Sequence, residues 1–227
     1  MKKEKQISRI KCAMTWLAGF TLAEVLITLG VIGIVAALTM PALIANYQKK
    51  VVITRLQKFY STMQQGINTK IAEDGAQDCS MFRTTNDADE VLEFWNVNYA
   101  PYVKTVRVDK GERSVKVAFP DGSGMFVSRT GTRDGTCGST YFAFSPNYKV
   151  IENILEETPT VAPNNSAIMD CKTVFAFGTN NNFGTNRAAT DWESREDIKA
   201  AIEGGTKALC ARLIQVDGWE IKDDYPW

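Results

Sequence analysis

From Phe20 to Ala45 the chain carries one ionisable side chain, Glu24, in 26 residues. A helix rises about 1.5 Å per residue, and about 20 apolar residues cross a bilayer core. This run is long enough for a membrane helix and too long for the short apolar region of a secretory signal. Beyond it the pattern changes. Tyr47, Val51, Ile53, Leu56, Phe59, Tyr60, Met63, Ile67 and Ile71 recur at mostly helical spacing, with Lys49, Lys50, Arg55, Lys58, Gln64 and Lys70 between them. That periodicity predicts an amphipathic continuation of the same helix to about residue 74, laid by one face on a sheet. Gly75 is its expected stop.

Period-two alternation then marks strands. Residues 114–119 and 125–128 alternate on either side of Pro120-Asp121-Gly122-Ser123-Gly124, the clearest hairpin in the chain. Tyr141–Phe144 and Thr173–Phe177 predict two more strands, the second ended by Gly178 and the asparagines after it. A short helix is expected over Asp87–Asn96, another over about 192–203 capped by Asp191 or Thr190, and a third over Leu209–Val216 with Asp217-Gly218 as its stop. Residues 75–90 and 129–138 are predicted as loops, and 145–170 carry no clear pattern. The fold class is therefore α+β: a long N-terminal transmembrane helix whose second half packs on an antiparallel sheet. The expected divisions are a leader over 1–19, the span over 20–45, the amphipathic continuation over 46–74, and an α+β head over 75–227.

Charge adds orientation. Residues 1–19 hold Lys2, Lys3, Lys5, Arg9 and Lys11 against Glu4, a net +4, while the rest holds 21 basic and 25 acidic side chains, a net −4. A basic flank stays in the cytoplasm, so the head is expected outside. An acidic head argues against nucleic acid as a partner, because phosphate neutralisation needs clustered Lys and Arg. The 227 residues contain no histidine, which excludes Ser-His-Asp and Cys-His mechanisms and histidine-bound zinc. No enzyme activity is expected. Of five cysteines, Cys12 lies in the leader. Cys79, Cys137, Cys171 and Cys210 lie beyond the span and make two disulfides in one of three pairings, if the compartment is oxidising.

A carboxylate four residues inside an apolar run costs roughly 2–4 kcal/mol to insert and normally marks a function. Cleavage after Gly19 creates a cation near it, the new amino terminus of Phe20. The segment Gly19-Phe20-Thr21-Leu22-Ala23-Glu24 resembles the processing site of type IV prepilins and type II secretion pseudopilins. In that family a membrane peptidase cuts after the glycine and methylates the new first residue. The resemblance thus implies cleavage between Gly19 and Phe20, N-methylation of Phe20, and pairing of Glu24 with the Phe20 amine of a neighbouring subunit during assembly. Pro41 stands where pilins carry a helix-breaking proline, and Gly30 and Gly33 weaken the helix too. Gly30-x-x-Gly33 is also a candidate close helix contact.

The implied function is a pilin or pseudopilin subunit of a type II secretion pseudopilus or a type IV pilus-like filament in a bacterial inner membrane. Its implied partners are other pilin or pseudopilin subunits, the prepilin peptidase and the inner-membrane assembly machinery. The competing reading is a membrane-anchored periplasmic binding module or enzyme with an uncleaved anchor. Cys210 followed by Asp217-Gly218-Trp219 and Asp224-Tyr225-Pro226-Trp227 is similar to the tail of many pseudopilin-like proteins. Some of these bind calcium, which makes Asp217, Asp223 and Asp224 candidate calcium ligands. No twelve-residue calcium-loop pattern is present, so an exposed acidic tail is the competing reading, and no other cofactor is expected.

Overall fold

The computed structural model describes residues 19–80, 87–130, 139–163, 165–180, 182–185 and 194–227. Contacts divide the chain into two units, Met1–Asn46 and Tyr47–Trp227. The described part of the first unit is helical from Leu22 onward. That helix, α1 (Leu22–Asp74), is continuous through Gly30, Gly33 and Pro41 and supplies the opening element of the second unit. Gly75 ends it at φ +86°, a conformation that glycine adopts without penalty.

Among the described residues six strands make an antiparallel sheet in sequence order: β1 (Arg107–Lys110), β2 (Val115–Ala118), β3 (Gly124–Thr130), β4 (Ser139–Ser145), β5 (Phe175–Asn180) and β6 (Asn182–Gly184). Alternation divides the side chains between two faces. On one face Val115 stands opposite Val127, and Val117 opposite Met125. Met125 then meets Phe144, and Phe142 meets Phe177. Leu56, Phe59, Met63 and Ile67 of α1 pack onto this face. Phe59 stacks on Phe144 with ring centroids 4.2 Å apart and meets Phe177 edge-on at 5.0 Å. Helices α2 (Ala88–Asn98), α4 (Arg195–Glu203) and α5 (Cys210–Val216) join the same core through Trp95, Ile198 and Leu213. The other face presents Phe126, Ala143 and Ala176 to Ile151 and Leu155 of α3 (Tyr148–Glu157), a second and smaller core.

Several elements differ from the sequence expectation. Strand β1 has three polar residues in four and no alternation to announce it; pairing with β2 makes it a strand. Helix α3 lies in the stretch without a clear pattern, capped by the Asn147 side chain, which accepts from Lys149 N. Strand β5 does not stop at Gly178: Gly178 pairs with Tyr141 on one side and Gly184 on the other, so sheet pairing on both sides overrides its weak strand propensity. Helix α4 is capped by Ser194, whose hydroxyl accepts from Asp197 N; the expected caps Thr190 and Asp191 lie outside the described residues. Lys70, expected on the solvated side of α1, is buried. Its stem lies against the core while the ammonium reaches Asp74 Oδ2 at 3.0 Å, a carboxylate that also accepts from Tyr102 Oη. Gly124, where the hairpin turn enters β3, leaves no room for a side chain: a Cβ there falls 2.2 Å from the Tyr148 ring and 2.9 Å from the Val117 carbonyl oxygen.

Candidate functional site

The apolar N-terminal segment is the first candidate. Gly19, Phe20 and Thr21 precede α1, and Phe20 is 88% exposed. Thr21 and Glu24 form a reciprocal cap. The Glu24 carboxylate accepts from Thr21 N and Thr21 Oγ1, both at 2.8 Å, and Thr21 Oγ1 accepts from Glu24 N at 3.2 Å. This capping box satisfies two orphan donors of the first turn and places the acid where the helix dipole favours it. The Thr-x-x-Glu spacing is its signal in the sequence.

The other polar side chains of the run are tied into the helix itself. Thr28 Oγ1 donates to Val25 O and Thr39 Oγ1 to Val35 O, each at 2.9 Å. The large apolar side chains from Leu22 to Ile44, by contrast, are uncovered. Among the described residues a Cβ added to Gly19, Gly30 or Gly33 meets nothing within 4 Å, so no contact among them demands a glycine at any of the three. The residues before Gly19, including Cys12, lie outside the described residues.

The acidic C-terminal residues form the second candidate. Asp217 and Asp224 come together across one cation, Arg195. Arg195 Nε and Nη2 donate to Asp217 at 2.6 and 3.1 Å; Nη2 and Nη1 donate to Asp224 at 2.6 and 2.9 Å. Lys222 Nζ lies 2.7 Å from Asp217, and Lys199 Nζ 3.2 Å from Asp224. The Asp217 side chain has no solvent exposure. Burial opposes its charge, but the hydrogen bonds and charges of Arg195 and Lys222 outweigh that, and its pKa falls below the ordinary carboxylate value. Hydrogen bonds from Arg195, then Lys199, hold Asp224 lower still.

Asp223 is exposed and stands outside the network. Among the described residues no three His, Cys, Asp or Glu side chains are placed to hold a metal ion. Helix α4 places Arg195 and Lys199 one turn apart on one face, a spacing of cations that was not connected with the acids from sequence alone.

Cys171 and Cys210 are bonded, with Cα atoms 5.3 Å apart, across a sequence separation of 39. The bridge ties the residues before β5 to the first residue of α5. Tyr225 Oη donates to the Cys171 carbonyl oxygen at 2.9 Å, so the C-terminal tail is fastened at the same point. Cys79 is also disulfide-bonded; Cys137 lies outside the described residues.

These features define an α+β protein with one N-terminal helix long and apolar enough to span a membrane, and with at least one disulfide joining its sheet to its helical C-terminus. The chain belongs to DUF6613, a family of unknown function, which it matches over residues 42–227. The match covers the folded unit and leaves Gly19–Glu24 outside it. No curated protein and no solved structure matches the chain.

Proposed function

We propose that this protein is a pilin-like subunit, anchored by a single N-terminal span, that assembles laterally through that span into a type II secretion pseudopilus or a type IV pilus-like filament. The observation that carries the reading is the helix from Leu22 to Ile44: its large apolar side chains are uncovered within the chain, and its one acid sits in the first turn. Lipid alone would cover such a surface, and the Thr21 cap accounts for an acceptor at Glu24, but neither supplies a cation for its charge. A neighbouring copy does, because it brings a cationic amino terminus to the acid and buries the rest of the stripe. Gly30 and Gly33 agree, since open space over both lets a second helix approach closely. Gly19 agrees as well. No described residue packs against it, and the resemblance places the peptidase cut directly after a glycine. The α+β head, stapled by a disulfide, suits the oxidising side of the membrane.

The test is the mass of the N-terminal peptide from protein purified out of membranes of cells with an active prepilin peptidase. The expected peptide begins at Phe20 and is heavier by one methyl group. A peptide retaining residues 1–19 would overturn the filament reading and leave a membrane-anchored module with an uncleaved anchor.

A further inference from the structure

A second surface belongs to neither candidate above. At the end of the second unit where the chain enters it, a groove of about 390 Å³ is lined mainly by Tyr47, Val51, Val52, Pro146, Val150 and the C-terminal Trp227. Tyr47 is 68% exposed. Two ammonium groups flank the Trp227 ring: Lys49 Nζ lies 5.8 Å from its centroid and Lys172 Nζ 5.6 Å. Neither lysine is ion-paired among the described residues. The acid nearest Lys172 in sequence, Asp170, is engaged elsewhere. It accepts from the backbone N of Lys172, Thr173 and Val174 and from the Thr173 hydroxyl.

We infer that this groove rests on an anionic bilayer surface, with Tyr47 and Trp227 at headgroup depth and Lys49 and Lys172 against lipid phosphates. Chain length supports this choice of partner. Tyr47 is the second residue after the apolar run that ends at Ala45. A chain reaches at most about 3.6 Å per residue, so a membrane that takes the run has Tyr47–Val52 close to its surface. Chemistry supports it too. Tyr and Trp have apolar rings with polar edges and settle at the membrane–water boundary, and basic side chains there are drawn to anionic lipid. Lys50, exposed and next in sequence, adds to the same charge. The inference rests on the helix being a membrane span and not on filament assembly.

The test uses the full chain, one copy per nanodisc, in discs of phosphatidylcholine alone or rich in phosphatidylglycerol. Lysine acetylation is read by mass spectrometry. Lys49 and Lys172 are expected to react roughly threefold more slowly in the anionic discs, with high salt removing the difference and Lys110 unchanged. Trp227 is followed by brominated-lipid quenching, as the difference between wild type and Trp227→Phe. Its quenching should rise in anionic discs and lose that rise when Lys49→Gln and Lys172→Gln are combined. Equal acetylation in both discs would overturn the inference. So would protection that arises only when a second copy is present, which would assign the groove to a subunit contact. A chain that does not enter discs at all would overturn the membrane span and this surface together.

Discussion

Glu24 has two chemistries available, and a single oxygen atom separates them. As a capping residue it needs only an acceptor for Thr21 N and Oγ1. As an assembly residue it needs a charge. Gln serves as well as Glu at the third position of a capping box, so Glu24→Gln keeps the cap and removes the charge. We expect Glu24→Gln to lower filament yield by roughly tenfold or more, equivalent to about 1.4 kcal/mol per subunit, at unchanged membrane levels. Filament yield equal to wild type would reduce Glu24 to a helix cap.

Arg195 is the other decisive residue. Arg195→Ala leaves a solvent-free carboxylate at Asp217 with Lys222 as its remaining cation, and should cost about 2–3 kcal/mol of stability, read as a lower Tm in detergent. The same cluster sets an acid limit. Asp217 and Asp224 titrate below their unfolded value near 3.9, so the unfolded chain binds protons first as pH falls. Their stabilisation is whole above about pH 5 and drains away as pH drops through 4 towards the folded pKa values. Asp224 is 42% exposed and screened by solvent, so Asp217 carries the larger share. Thermal midpoints between pH 7 and pH 3 should fall less steeply in Asp217→Asn than in wild type.

At the scale of elements, the Cys171–Cys210 bridge is the clasp. It closes 39 residues of chain that include β5, β6 and α4. A loop of that size implies a contribution of about 4 kcal/mol on chain-entropy grounds. Replacing both cysteines by alanine should lower the unfolding midpoint accordingly, while Cys12→Ala, before the membrane helix, should leave it unchanged. Element legibility followed burial. The β2–β3 hairpin and the buried stripe of α1 announced themselves because each shows one face to the core and the other to water, which writes a period into the sequence. Helix α3 wrote a fainter one: Ile151 and Leu155 cover a small second core, and prolines at 146 and 159 masked the helix between them. Strand β1 wrote none, because it is an edge strand whose partner β2 supplies the reason for its conformation.

For the whole molecule, the acidic tail behaves as part of the fold. Arg195, Lys199 and Lys222 occupy the Asp217 and Asp224 carboxylates that were candidate calcium ligands. Thermal midpoints of the full chain in detergent should therefore be the same in excess calcium as in EDTA; a calcium-dependent rise of several degrees would restore the metal reading.

Sequence by itself determined what depends on one segment and its solvent. A run of 26 residues with a single acid states its own environment, because apolar side chains without a covering partner need lipid or another helix wherever the rest of the chain goes. The amphipathic continuation, the hairpin and the α+β class follow from periodicity in the same local way. Only the tertiary structure decided what needs two distant segments at once: the pairing of Cys171 with Cys210, the capture of Asp217 and Asp224 by Arg195, and the passage of β5 through Gly178. It also chose between two local readings at Lys70, whose charge predicted solvent and whose aliphatic stem, with Asp74 one turn away, allowed burial. In each case the physical reason is the same. The stabilising partner lies on another turn, strand or helix, and its distance is set by packing that no single stretch of sequence encodes.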